Sequence, residues 1–273
     1  MSALERWERD LRARAVPERI LENAPESPYG FPAELFTRRA RASTSREQTP
    51  TTTRALEALH EGEGVLDVGV GGGATSLPLA ARAGTIIGVD GQQDMLDAFA
   101  SAALEAGVAS QTVLGSWPEV GDRAPRCAVV VCGHVFYNVA DLGAFARALH
   151  EHATRRVVVE LTERHPLAWM SDLWLGFHGI RWPDGPSAID AAEALAELGF
   201  DPHREDRTER GDRGSGGFAR REDAVALVRR RLCLPASRDD EVAAALGDRL
   251  RRDGDLWSAG PPEQVVSTLW WDV

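Results

Sequence analysis

The residues with the most chemical content lie in one stretch, Val65-Leu66-Asp67-Val68-Gly69-Val70-Gly71-Gly72-Gly73-Ala74. It reads as a strand ending in an acid, then a glycine turn, then a helix. Glycines let a backbone turn tightly and approach a ligand without interference from Cβ. In an open parallel sheet, ligands sit at the carboxyl ends of the strands, where the topology reverses. A second apolar run closes on Gly88-Val89-Asp90 and places a carboxylate at the same sheet edge, 23 positions after Asp67. A carboxylate there can accept both hydroxyls of a ribose.

Two cofactor classes use such a geometry, and Gly69-x-Gly71-x-x-Ala74 also satisfies the dinucleotide fingerprint. Asp67 separates them. The pyrophosphate of a dinucleotide is anionic and is repelled by a carboxylate at the turn. S-adenosylmethionine carries an ammonium and a sulfonium and no phosphate, so its cations favour an acid. The alternatives are an NAD(P)-binding Rossmann oxidoreductase and a non-catalytic S-adenosylmethionine-binding sensor or scaffold.

The elements that position these residues follow from periodicity. From Gly64 onward, short apolar runs alternate with amphipathic stretches, as in βαβ units with a parallel sheet buried on both faces. Strands are expected near Val65–Val68, Thr85–Val89, Gln111–Leu114, Ala128–Cys132 and Arg156–Leu161. Helices are expected over Ala74–Ala83, Asp94–Ala106 and Leu142–His150, the last capped by Asp141, with Gly84 and Gly107 as C′ glycines. Further on, the pattern predicts a helix over Ser187–Leu198 stopped by Gly199. It then predicts a loop over Asp201–Gly217, helices over about Arg221–Arg231 and Asp239–Arg251, and a terminal strand over Gln264–Trp271. Before the sheet lie a helical stretch from Leu4 to about Val16, a proline-punctuated segment carrying Tyr29, Phe31 and Phe36, and a helix from about Pro50.

Over about residues 50 to 200, in motif and in order of elements, the sequence resembles the class I S-adenosylmethionine-dependent methyltransferases. The resemblance implies an α/β fold with a doubly wound, mostly parallel seven-stranded sheet ending in a reversed hairpin. It implies that Asp67, Gly69, Gly71 and Gly73 hold the methionine portion of the cofactor and that Asp90 holds the ribose. Gly115-Ser116-Trp117 follows the third strand, where family members bind adenine; many relatives have an acid where this chain has Ser116. Gly91, Met95 and Gly133 complete the cofactor set. The family's reactive segment corresponds to Gly133-His134-Val135-Phe136-Tyr137-Asn138. It lacks the Asn-Pro-Pro-Tyr-like sequence of enzymes that methylate exocyclic amines of DNA bases. The several acids of metal-dependent catechol methylation are also missing, with only Glu160 and Glu163 nearby.

Methyl transfer is an in-line displacement in which alignment supplies much of the catalysis, and a base is needed only if the acceptor has a proton to lose. His134 follows a buried strand, and an imidazole of pKa about 6.5 suits that task. It could equally orient the substrate or hydrogen-bond the backbone around the cofactor. Tyr137 and Glu160 are the other catalytic candidates, Glu160 as a carboxylate that binds a cationic acceptor or takes its proton. Tyr29, Asn138, His165 and His178 are candidate substrate contacts. Leu167, Met170, Leu173, Trp174 and Phe177 recur at helical spacing and read as core. Arg46 could reach the cofactor carboxylate, or lie on the surface. No metal site is expected, because His150 and His152 stand two apart on a helix and point to different sides.

Composition limits the remaining classes. The 273 residues include 43% hydrophobic and 27% charged side chains, suited to a globular α/β protein. All 31 basic residues are arginine, and 42 acids leave a net charge of −11. That field disfavours nucleic acid, and the missing lysine excludes Schiff-base chemistry and a P-loop. Three cysteines and no long apolar run suggest a reduced, cytoplasmic protein without a membrane partner, acting on a small-molecule acceptor. Its oligomeric state is not legible. The expected organisation is a helical lid over residues 1–62 and a cofactor-binding core over 63–273. Helical insertions are expected at about 162–182 and 220–252.

Overall fold

The computed structural model describes residues 1–29, 48–210 and 217–273. Phe31, Phe36, Arg46 and residues 211–216 of the polar loop lie outside the described residues. The five apolar runs form parallel strands β1 (Gly64–Val68), β2 (Thr85–Asp90), β3 (Ala109–Leu114), β4 (Cys127–Gly133) and β5 (Ala153–Thr162). Strand β4 is buried at every position but its last, as befits a central strand covered on both faces. Four more strands follow: β6 (His203–Arg210), β7 (Leu250–Asp253), β8 (Leu256–Ala259) and β9 (Glu263–Asp272). The main sheet has the order β3-β2-β1-β4-β5-β9-β6, with β9 antiparallel to both neighbours, while β7 and β8 form a separate hairpin. This is the doubly wound, seven-stranded sheet that the resemblance implied.

The helices are α1 (Ala3–Ala13), α2 (Glu18–Leu21), α3 (Pro50–Ala58), α4 (Gln93–Glu105), α5 (Leu142–His152), α6 (Ser171–His178), α7 (Ala188–Glu197), α8 (Arg221–Arg231) and α9 (Asp239–Leu246). Alternation along β1 divides the core between the two sheet faces. Leu66 and Val68 pack with Trp7 of α1, Phe145 and Leu149 of α5, and Leu195 of α7. Val65 packs on the opposite face with Ala55 and Leu59 at α3, and with Leu96 and Phe99 of α4. A third cluster, including Ile20, Met170, Leu173, Trp174, Val228 and Leu246, joins α2, α6, α8 and α9 into a helical cap. Among the described residues no helix is long and apolar enough to cross a membrane.

Four local expectations are corrected. Residues 74–83 form turns and a short 3-10 helix at Leu77–Leu79 rather than an α-helix; Pro78 has no N–H to give and its ring blocks a longer helix. The polar run contains strand β6. It forms because β9 offers it a complete ladder, from His203 opposite Trp270 to Arg210 opposite Glu263; its charges suit an edge strand. The last helix stops at Leu246, where Gly247 turns the chain with a φ of +52°, and a 3-10 turn over Gly247–Arg249 leads into the β7–β8 hairpin. Gly84 is no C′ residue: a Cβ there would stand 2.1 Å from the Gly62 carbonyl oxygen.

Candidate active site

The carboxyl ends of β1, β2 and β4 are adjacent, with Asp67 in register with Gly88 on one side and Val131 on the other. Asp67 shares its sheet face with Val65, so strand alternation turns its side chain into the core, where the residue is 1% exposed. One carboxyl oxygen accepts a 2.6 Å bond from Ser76 Oγ, and the other has no hydrogen-bond partner. Burial, with a smaller contribution from the Asp90 charge, pushes its pKa up to about 7 against the opposing effect of Ser76. Asp67 therefore lies beneath the turn, not on its ligand-facing surface as the charge comparison assumed.

Asp90 is more accessible. Its Oδ2 accepts from the Gly71 amide and its Oδ1 from the Gln92 amide, each at 3.0 Å. The carboxylate thus ties the glycine turn to the end of β2. Among the described residues nothing stands within 4 Å of where a Gly91 Cβ would be, and Met95 is buried in α4. Gly69 has a φ of +75°, and a Cβ on it would stand 2.3 Å from Val135 Cγ2. A Cβ on Gly133 would stand 2.1 Å from Thr75 Oγ1. Both glycines let the turn after β1 press against the segment after β4. Gly73 makes room for Leu77 and Phe99 in the same way.

These features bear on the ligand. A pyrophosphate calls for amide donors at the amino terminus of an α-helix, and no α-helix follows this turn. Asp90 stands at the turn instead and already takes the Gly71 amide, with Asp67 beneath it carrying a buried oxygen that has no partner among the described residues. The donor set fits a nucleoside bearing a cation and not a diphosphate.

Beyond β4, His134 adopts the left-handed backbone conformation, with φ +59°. Its amide donates to the Glu160 carbonyl at 2.7 Å, and its Nε2 lies 3.2 Å from Glu160 Oε1. Glu160 Oε2 accepts from Thr51 Oγ1 and, at 2.9 Å, from Arg207 Nη1. Thr51 in turn contacts Thr268 Oγ1 at 2.7 Å, and Arg207 reaches Glu209 at 3.3 Å. Burial alone would raise the Glu160 pKa, but His134 and Arg207 outweigh it and hold the carboxyl below the usual range.

His134 Nδ1 lies 3.4 Å from the Tyr137 hydroxyl. That hydroxyl accepts from the Thr162 amide and lies 2.8 Å from Thr162 Oγ1. Burial pushes the Tyr137 pKa well up, which keeps the phenol protonated. Asn138 is exposed at the end of a 3-10 turn. The His165 ring stands edge-on to Tyr137 at 5.6 Å, and its Nδ1 accepts from the Leu167 amide. Burial first, and then Arg14, lowers the His165 pKa to about 3.

The structure thus gathers His134, Tyr137, Glu160 and His165 at one edge, beside Asp67, Gly69, Gly71, Asp90 and Gly133. Other candidates stand apart. Ser116 is exposed, while Trp117 is 9% exposed and turns into the core with its ring 4.7 Å from His152. His178 donates from Nε2 to the Leu232 carbonyl and packs on Trp174, so it belongs to the cap. Tyr29 is 57% exposed and lies beside Cys233 of the cap. Thr51, Thr162 and Arg207 belong to the cluster and carried no local sequence signal. Among the described residues no three His, Cys, Asp or Glu side chains converge as a metal site requires.

Sheet order, glycine turn and acid pair define an α/β protein that seats a nucleoside cofactor on the carboxyl edge of its sheet. Residues 65–155 match the methyltransferase domain family. Over 153 residues the chain is 38% identical to the ubiquinone biosynthesis O-methyltransferase of Azorhizobium caulinodans, covering 54% of this chain and 60% of that relative's length. It is 27% identical over 214 residues to an uncharacterized protein of Haemophilus influenzae, covering 77% and 76% of the two chains. A solved S-adenosylmethionine-dependent methyltransferase from Thiobacillus denitrificans, in complex with S-adenosyl-L-homocysteine, shares the fold. Its TM-score is 0.54 at 16% identity, over 89% of this chain and 99% of that one. Residues 65–155 thus carry a methyltransferase domain, on a fold shared with a solved S-adenosylmethionine-dependent methyltransferase.

Proposed function

We propose that the protein transfers a methyl group from S-adenosylmethionine to a hydroxyl of a small-molecule acceptor, with His134 as the proton acceptor. The observation that carries this is the 3.2 Å approach of His134 Nε2 to Glu160 Oε1, next to the glycine turn. A base held by a carboxylate is of use where the acceptor must lose a proton, as a hydroxyl does. The O-methyltransferase relative, matched over 60% of its length, supports the same acceptor class.

The cofactor, when bound, supplies a methyl group on a positively charged sulfur. Asp67 and the turn Gly69–Gly73 hold its methionine portion; the cation favours the ionised form of Asp67, which releases its proton when the cofactor binds. Asp90 takes the ribose hydroxyls, and Gly91 leaves the space beside them open. In the neutral His134 ring, Nε2–H donates to Glu160, which leaves Nδ1 with the lone pair that accepts the acceptor's proton. Glu160 is already engaged by Thr51 and Arg207, so it orients His134 and stabilises the charged ring, without touching the acceptor. Tyr137, protonated and anchored to Thr162, approaches the same Nδ1 only to 3.4 Å, and the acceptor hydroxyl takes that place when it binds.

The test is a labelled-methyl transfer assay over a panel of phenols, aliphatic alcohols and amines, with wild type and His134→Ala compared. Transfer to hydroxyls that the variant loses supports the reading. Calorimetric binding of NADH in place of S-adenosyl-L-homocysteine would overturn it.

A further inference from the structure

Arg14 and Arg229 are the buried arginines among the described residues, at 6% and 7% exposure. The chain treats them differently. Arg229 is paired with Glu26 and Asp239 and also donates to the Leu234 carbonyl. Arg14 has no ion pair with any described residue. Its Nη1 donates to the Pro183 carbonyl at 2.7 Å and its guanidinium lies 5.0 Å from the centre of the Trp182 ring. Its Nε and Nη2 are buried with no hydrogen-bond partner among the described residues. Asp184 acts on it through its charge, without a hydrogen bond or ion pair.

The unused atoms are informative as a pair. Nε–H and Nη2–H form one edge of the planar guanidinium, and two parallel donors on such an edge match the two oxygens of a carboxylate. A buried charge without a counter-charge is costly, and no carboxylate of the described residues bonds to this edge. Location adds to this. Arg14 acts electrostatically on His165, whose ring meets Tyr137 at 5.6 Å, and the Tyr137 ring stacks with that of His134 at 6.3 Å. The Nδ1 of His165 is occupied as an acceptor, so the neutral ring carries its proton on Nε2, a second donor near the guanidinium.

We infer that Arg14 is a specificity residue of the acceptor site, receiving a carboxylate of the acceptor on its Nε–Nη2 edge. The acceptor is then a hydroxy acid: its hydroxyl at His134, its carboxylate beyond Tyr137 and His165. This rests on the methyltransferase reading for the hydroxyl end, whereas the carboxylate end stands on Arg14 alone.

The test uses benzoate and benzamide as probes, which share size and shape and differ in charge. Their binding to the full chain, without and with S-adenosyl-L-homocysteine, is followed by saturation-transfer NMR. Benzoate is expected to bind saturably and at least tenfold more tightly than benzamide. Arg14→Gln should reduce benzoate to the level of benzamide. Arg14→Lys keeps the charge but not the two-donor edge and should lose most of the preference. Equal binding of the two probes to wild type, or no benzoate binding, overturns the inference without need of a variant. Displacement of benzoate by inorganic phosphate at equal or lower concentration overturns it too, since the edge would then be a free-phosphate site. Failure of S-adenosyl-L-homocysteine to bind, measured by calorimetry, would count against the methyltransferase reading and leave the benzoate result standing.

Discussion

His134 and Glu160 are joined twice: the His134 amide donates to the Glu160 carbonyl at 2.7 Å, and the imidazole Nε2 meets Glu160 Oε1 at 3.2 Å. The first bond continues the β4–β5 pairing, in which Gly133 lies opposite Glu160. The second uses that register to aim a ring. A left-handed backbone at His134 is uncommon for a residue with a side chain and is tolerated where surrounding structure fixes it.

Removing the ring should separate chemistry from binding. His134→Ala is expected to lower kcat by about 10²–10⁴-fold, the usual contribution of a general base, with S-adenosyl-L-homocysteine affinity unchanged. Glu160→Gln should give a smaller loss, because the ring stays in place. A His134→Ala enzyme with wild-type kcat would remove the base from the mechanism.

Asp90 makes a separate claim about the cofactor. Asp90→Ala should weaken S-adenosyl-L-homocysteine binding by about 1.5–3 kcal/mol, the cost of leaving ribose hydroxyls without an ionised acceptor. Calorimetry measures this directly, and an unaltered Kd would reassign the ribose site.

The elevated pKa of Asp67 predicts a pH-dependent stability. Between its ordinary value of 3.8 and about 7, the folded protein retains a proton that the unfolded chain has released. Stability therefore declines as pH rises through that window and is lowest above it, with a ceiling of about 4 kcal/mol. Asp67→Asn should raise Tm at pH 8 and leave it nearly unchanged at pH 4. Equal shifts at both values would contradict a buried, proton-holding carboxyl.

His165 has the opposite slope. Its pKa is lowered from 6.5 to about 3, so the unfolded chain takes up a proton that the folded protein excludes. Stability is complete above about pH 6.5 and is lost as pH falls toward 3, again by up to about 5 kcal/mol. The two effects oppose each other between pH 4 and 6.5. In thermal melts, His165→Gln should be less acid-sensitive than wild type, and the Asp67→Asn, His165→Gln pair flatter than either single variant.

Arg207 and Glu160 form a largely buried pair, with side chains 20% and 13% exposed. Arg207→Met should destabilise the fold by about 3 kcal/mol, because a buried carboxylate loses its counter-charge. Adding Glu160→Gln should recover part of that loss. Denaturant midpoints of the four proteins give the coupling, and strict additivity would mean that the pair is not coupled.

Sequence alone determined what contiguous residues encode. Apolar runs gave β1 to β5 and β9, the glycine turn placed a ligand edge, and Asp67, Asp90, His134 and Glu160 could be assigned to it because each lies within two residues of the carboxyl end of a strand. Only the tertiary structure decided the rest. His203–Arg210 has no apolar face and reads as loop until β9 supplies its ladder, and that ladder carries Arg207 to Glu160, 47 positions away. Thr51 reaches the same carboxylate from 109 positions away. Charge type is written locally, but burial and partnership are set by which strand lies alongside. Asp67 was therefore legible as an acid at the turn and not as a carboxyl buried beneath it, and Arg14 carried no signal in the sequence; packing alone encloses it, with no ion pair to any described residue.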